Sequence, residues 1–326
     1  MWTILIVLCT RKVSIGVQTL MIIPLILFSS FRGTAGPDTE TYIRLFYNIE
    51  KIVASGFSFI YEPITTALMY FSITLFSEHH EYFFALHSAI LSGLFIYFCK
   101  NFEKYRVFLL TIGIAFLIDG LTNTLRVSLA YFFILLSFTR KQNLNYVLAF
   151  FSHVSALIAI VFIKAIDYLS NAKKINGIKI ILIIIASLIL IQSFNFIISF
   201  FPVVSEKLLI YQDLEVRSKL SGVSDIFVVF SLLAIGSYFN RSTMNEFLFD
   251  LSIAILISVF LYILVGFSLA FLRIIKLLLF SLVISPFLVS PKRKIPSWCL
   301  ICIGFVYTAN FCRTVFTSNG FLPYGN

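Results

Sequence analysis

Charge is scarce in this chain. Asp, Glu, Lys and Arg make up 12% of its 326 residues, where a soluble globular chain carries about a quarter. Acid is scarcer still, with 15 Asp and Glu against 25 Lys and Arg. Cysteine is thin, at five residues. Cys299 and Cys302 form a C-x-x-C inside the apolar stretch WCLICIGFVY, where a redox or zinc motif needs an accessible pair and usually a second one. They read as small helix residues, and no disulfide framework is implied. No internal repeat and no separate soluble domain interrupts the chain. It has no P-loop, no G-x-S-x-G, no H-E-x-x-H and no D-x-D metal signature between its apolar runs, which argues against an ATPase, a serine hydrolase and a zincin.

What the chain has instead is apolar surface. It is 60% hydrophobic with a mean hydropathy of +0.98. Apolar runs of about 20 residues recur along its length, the pattern of a polytopic helical membrane protein. A transmembrane barrel would alternate polar and apolar residues over segments of about ten, and runs such as IKIILIIIASLILIQSFNFIISFF at 178–201 do not. The fold class expected is all-α, with roughly ten or eleven membrane helices.

The net charge of +10 does not call for nucleic acid. Arg11-Lys12, Lys173-Lys174 and Lys292-Arg293-Lys294 sit between apolar runs, as the positive-inside rule expects of cytoplasmic loops. An uncleaved first helix is expected over Val13–Phe31, because no small-x-small cleavage site closes that run. Further apolar segments fall at 63–77, 82–99, 107–118, 121–138, 144–166, 178–201, 225–239, 247–272, 274–290 and 297–317. Two polar connections stand out, 32–62 and 202–224, and the basic clusters place both on the extracytoplasmic side. The second, PVVSEKLLIYQDLEVRSKLSGVS, mixes charge with Leu, Ile and Tyr like a helix lying on the membrane surface. Counting then puts two further basic stretches, 100–106 and Arg140-Lys141, outside as well, against the rule. A re-entrant segment at 63–77, which is short and opens on Pro63, would restore the parity.

Ionisable residues at membrane depth cost roughly 2.5–3.5 kcal/mol on insertion scales and generally face a partner or a cavity. Arg126 is the clearest, in DGLTNTLRVSLAYFF. Asp119-Gly120 breaks the apolar run there, and the spacing puts Asn123, Arg126 and Ala130 on one helical face. A snorkelling interfacial arginine is the plainer alternative. His153 lies in VLAFFSHVSALIAIVF, and a lone histidine there is as easily a packed, hydrogen-bonded residue as a chemical one. With no H-x-x-x-H or E-x-x-H companion it does not suggest a metal. Arg273 shares a face with Lys276, and two cations without an acid suit an anion, a lipid head group or a helix boundary. In FRGTAGPDTETYIRLF, Arg32 closes the first helix. Asp38 is placed to N-cap a helix through TETYIRLFYNIEKIV. Glu62 precedes Pro63 as an acid at the start of the next helix.

In this order the residues resemble the EpsG-like branch of the Wzy polysaccharide polymerases. The elements are an apolar helix ending in Arg32; Gly36-Pro37-Asp38 with Tyr42 and Phe46; Glu62-Pro63; Asn123, Arg126 and Ala130; His153, Ser155 and Ala156; and a late Arg273. The resemblance runs from about residue 20 to about 290, and it departs from the family at Val127, where glutamine usually follows the arginine. It implies a glycosyltransferase of the bacterial plasma membrane that needs no metal or other cofactor. Such an enzyme joins oligosaccharide repeat units carried on undecaprenyl diphosphate, beside a flippase and a chain-length regulator. Under that resemblance Arg126 and Arg273 are assigned to the diphosphate, with Arg32, Asn123 and Tyr42 assisting and Arg217 on the glycan. His153, Asp38 and Glu62 are the candidate bases. The alternatives are a lipid-linked oligosaccharide flippase, an O-antigen ligase and a membrane acyltransferase. Flippases tend to show repeats and more uniform spans, and an acyltransferase histidine has an acid at short spacing, which His153 lacks.

Overall fold

The computed structural model describes residues 14–32, 38–54, 62–101, 117, 120–121, 125–140, 143–153, 156–157, 159–161, 164, 222–265, 275–279, 282 and 293–317. Among these residues all regular structure is helical. The chain divides into two units, residues 1–157 with 296–326, and residues 158–295.

The first unit begins with α1 (Ile15–Ser30), whose N-cap Ser14 accepts a hydrogen bond from the Val17 amide at 3.4 Å. Ile22, Leu25 and Ser29 are buried, while Leu20, Ile23, Leu27, Phe28 and Phe31 form an exposed apolar face. The buried side packs on α5 (His80–Asn101). Ser88 and Ser92 are buried on α5, and small residues of this kind let helices in lipid approach closely.

The stretch 32–62, expected as a polar outer connection, carries buried structure. It contains α2 (Thr39–Tyr47) and α3 (Ile49–Ala54). On α2 the residues Thr39, Tyr42 and Phe46 are buried, while Glu40 and Arg44 pair at 3.3 Å on the exposed side. Tyr42, Phe46 and Ile49 join Met69, Phe83, Phe84 and Leu125 in one apolar cluster. The single helix expected through TETYIRLFYNIEKIV is therefore two, separated at Asn48, whose side-chain amide donates to the Arg44 carbonyl at 2.8 Å. The expected cap is also corrected. Asp38 occupies the N-cap position and its carbonyl accepts from the Tyr42 amide, but its side chain makes no capping bond and its backbone is right-handed helical.

α4 (Pro63–Leu75) has Pro63 at its first position, where a missing N–H costs nothing. Its 13 residues span about 20 Å, short of a hydrocarbon core of about 30 Å. It packs on α5 and on α7 (Asn143–Ser152). α6 (Leu125–Arg140) packs on α5 and α7. The continuous helix expected over 144–166 is interrupted: α7 stops at Ser152 and His153 is non-helical, with helical backbone again at Ala156. α10 (Ser297–Thr317) completes this unit and carries Cys299 and Cys302, both free thiols.

In the second unit, α8 (Val223–Asn240) and α9 (Met244–Val265) form a hairpin. Glu246 and Thr243 make the capping contact at the start of α9, at 3.3 Å. Arg241 closes the turn with a two-pronged pair to Asp250, at 2.7 and 3.3 Å. That carboxylate, hydrogen-bonded to the guanidinium, raises the Arg241 pKa. Val223–Asn240 and Met244–Tyr262 are long and apolar enough to cross a membrane, and Pro63–Leu75, Leu125–Ser137 and Ser297–Asn310 are shorter apolar helices. The expected amphipathic connection 202–224 lies outside the described residues up to its last few positions.

Candidate functional site

The first unit gathers four polar side chains from four separate stretches of sequence. Glu62 comes from the entry to α4, Arg126 from the first turn of α6, His153 from the break after α7, and Tyr42 from α2. The Glu62 carboxylate lies between the other two charged or titratable groups. Its Oε2 is 3.0 Å from Arg126 Nε, and its Oε1 is in close contact with His153 Nδ1. The Tyr42 hydroxyl accepts from the same Arg126 Nε at 3.2 Å, and the guanidinium carbon stands 5.3 Å from the Tyr42 ring centre. Side-chain exposures are 7% for Glu62, 15% for Arg126 and 13% for His153. The carboxylate is enclosed, while its two partners keep a small opening.

The backbone at Glu62 is unusual. It is the one non-glycine residue with positive φ among the described residues, at φ 57°, ψ 94°. A side chain there costs of order 1–3 kcal/mol, and the following proline already denies the residue the right-handed helical region. The fold holds this conformation with the rest of α4's first turn: the Glu62 carbonyl accepts from the Thr66 amide and hydroxyl at 3.2 and 3.4 Å. Strain of this kind clusters where a side chain must be aimed. Here it is aimed at Arg126 and His153.

Chemistry follows from the bonding. Arginine Nε is always a donor. His153 Nδ1 faces a carboxylate, so it carries the proton when the ring is neutral, and Nε2 then holds the lone pair. A carboxylate fixing the tautomer through Nδ1 while Nε2 does proton work is the logic of hydrolase triads. Among the described residues, Arg126 bonds only through Nε, to the Tyr42 hydroxyl and the Glu62 carboxylate. Asp38 adds an electrostatic pull on Arg126.

Arg32, expected to assist Arg126 at the diphosphate, is buried, at 4% exposure. Its Nη1 donates to the Leu121 carbonyl at 2.7 Å and its guanidinium stacks 4.0 Å from the Phe84 ring centre. Its Nε and Nη2 are enclosed and have no hydrogen-bond partner among the described residues. Asp38 is half-buried at the start of α2. Asn123, Arg217 and Arg273 lie outside the described residues. Among the described residues, no group of three or more His, Cys, Asp or Glu side chains is placed to hold a metal. Sequence reasoning missed His87, fully buried on α5, whose Nε2 lies 2.9 Å from the Leu125 carbonyl. Its signal, a lone histidine in the apolar run FFALHSAILSG, is the same one that drew attention to His153.

The family model described as the EpsG family matches residues 17–326. No curated protein and no solved structure matches the chain.

Proposed function

The chain belongs to the EpsG family, and on that premise we propose that it is a multi-pass polymerase of the bacterial plasma membrane. In this reading it joins oligosaccharide repeat units carried on undecaprenyl diphosphate into a surface or secreted polysaccharide. Family membership and the apolar helices support a membrane protein of polysaccharide biosynthesis. The observation that carries the finer reading is the Glu62–Arg126–His153 set, a proton acceptor and an anion holder joined by one enclosed carboxylate.

The hydroxyl of the acceptor unit attacks the anomeric carbon of the donor glycan. A C–O bond forms, and the bond from the anomeric carbon to the lipid diphosphate oxygen breaks. The hydroxyl proton passes to His153 Nε2, and Glu62 stabilises the resulting imidazolium through Nδ1. The leaving diphosphate carries the departing electron pair, and the two Nη groups of Arg126 are donors of the right sign and fork geometry to receive it. Arg273 is the further cation proposed for the diphosphate, Arg217 for the glycan, and Asn123 and Tyr42 stand with Arg126. Asp38 shapes the entry beside Arg126 rather than serving as base, because His153 holds a fixed carboxylate partner. A flippase that delivers lipid-linked units and a chain-length regulator are the proposed partners.

The test uses cells deleted for this gene and complemented with variants, with surface polysaccharide run on a gel. Arg126→Ala and His153→Ala are expected to leave single repeat units while the proteins accumulate normally. Long chains from either variant would remove the assignment. Loss of all surface sugar, single units included, would favour a flippase instead.

A further inference from the structure

A second set of buried polar side chains grips the backbone that delivers Arg126. On the N-terminal side, the Leu121 carbonyl accepts from Ser29 Oγ at 2.8 Å and from Arg32 Nη1 at 2.7 Å, both from the end of α1. Immediately before Arg126, the Leu125 carbonyl accepts from His87 Nε2 at 2.9 Å and from Ser128 Oγ at 2.7 Å. Gly120, beside the first anchor, is packed closely: a Cβ there would stand 2.5 Å from Ser128 Cβ and 2.8 Å from Leu91 Cδ2.

His87 is the informative member. It is 1% exposed, among buried helix neighbours that are apolar or small: Phe83, Phe84, Ser88, Leu91, Ser92 and Phe95. Facing a carbonyl, Nε2 must donate, so the ring is the Nε2–H tautomer and Nδ1 is a lone pair. That lone pair is enclosed and has no hydrogen-bond partner among the described residues, and Arg32 acts on the ring electrostatically. Burying a half-satisfied imidazole is unfavourable compared with leucine, so packing alone does not account for it. We infer that His87, with Arg32, is a positioning residue: it fixes the start of α6 so that the Arg126 side chain meets Glu62 and Tyr42 and presents its Nη groups to the anion. The inference rests on the reading of Arg126 given above.

The two amide isosteres of histidine separate the roles of its nitrogens. Glutamine places its N–H near the Nε2 position; asparagine places its N–H near Nδ1 and does not reach the carbonyl. The full-length protein, solubilised in detergent, is followed by hydrogen exchange of peptides covering residues 125–132. Loss of one hydrogen bond is expected to raise exchange there about fivefold to tenfold in His87→Leu and His87→Asn. His87→Gln is expected to stay near the wild type, and the α8–α9 hairpin to be unchanged in all three. In complemented cells, His87→Leu and His87→Asn shorten the polysaccharide ladder and His87→Gln restores it. Added to Arg126→Lys, His87→Leu shortens the ladder no further, because both act through one guanidinium. Unchanged exchange in both His87→Leu and His87→Asn overturns the inference, as do losses that multiply with Arg126→Lys. Should His87→Leu fail to accumulate, the asparagine and glutamine pair carries the same comparison. A normal ladder from Arg126→Ala would instead refute the functional reading, with the exchange result still deciding whether His87 anchors α6.

Discussion

Glu62→Gln is the most discriminating single substitution. It keeps the shape of the side chain and removes only its charge and one acceptor. In the native site His153 Nδ1 donates to Oε1, and the Arg126 guanidinium is ion-paired with Oε2. An amide has one acceptor oxygen and one N–H₂ group, so it satisfies one partner and turns donors toward the other. A hydrogen bond to a charged group contributes about 1.5–3 kcal/mol, which predicts a fall in polymerisation rate of roughly 10- to 150-fold. The loss rises toward about 10⁴-fold if the imidazole also adopts the wrong tautomer. The assay is the polysaccharide ladder of complemented deletion cells, with membrane abundance measured by immunoblot. Glu62→Asp, one methylene shorter, cannot reach both partners and is expected to lose activity with Glu62→Gln. A wild-type ladder from Glu62→Gln at wild-type abundance would refute the reasoning, because the joining carboxylate would then be dispensable.

Further outcomes follow from the same geometry. Tyr42→Phe keeps the ring beside Arg126 and deletes the hydroxyl bond at 3.2 Å; about 0.5–1.5 kcal/mol is expected to appear as a few-fold loss of rate, measured on membrane vesicles. Because Glu62 holds positive φ, Glu62→Gly is expected to melt at a higher temperature than Glu62→Ala in a thermal-shift assay, with both inactive. Gly120→Ala forces a Cβ against Ser128 at 2.5 Å; overpacking of about 1–3 kcal/mol is expected to lower both the melting temperature and the ladder. Asp250→Asn weakens the Arg241 pair in the second unit and is expected to cost about 1–3 kcal/mol of stability, read by thermal shift, while the modal chain length of the polysaccharide stays unchanged.

Much of the helical arrangement was legible because its signal is local. Apolar runs bounded by Pro63, by Gly222 and by the Arg241–Thr243 turn correspond to helices with nearby limits. The illegible parts were those decided by packing. The stretch 32–62 has the composition of a solvated connection, yet Tyr42 and Phe46 recur at helical spacing and bury against Phe83 and Phe84, contacts that the local sequence does not announce. Arg32 looks like an interfacial anchor because it ends an apolar helix. Its burial depends on the Leu121 carbonyl and the Phe84 ring, which are distant in sequence. Arg126 and His153 stand out as polar among apolar neighbours, and Glu62 as an acid ahead of Pro63 at a helix start. Their meeting at one carboxylate depends on α4, α6 and α7 packing together. The break at His153 was hidden because Val154 and Ser155 carry no proline or glycine to mark it.

The central claim is that Arg126 and His153, joined by Glu62, transfer a glycan from a lipid diphosphate to a hydroxyl without a metal. Its most direct test is a reconstitution of the purified protein in lipid nanodiscs. Lipid-linked repeat units extracted from the deletion strain would be supplied in the presence of a chelator. The account predicts one polyprenyl diphosphate released for each new glycosidic bond, and release slowed about 10²- to 10³-fold by Arg126→Ala. Release that stops with the chelator, or that continues at the wild-type rate in Arg126→Ala, would contradict it.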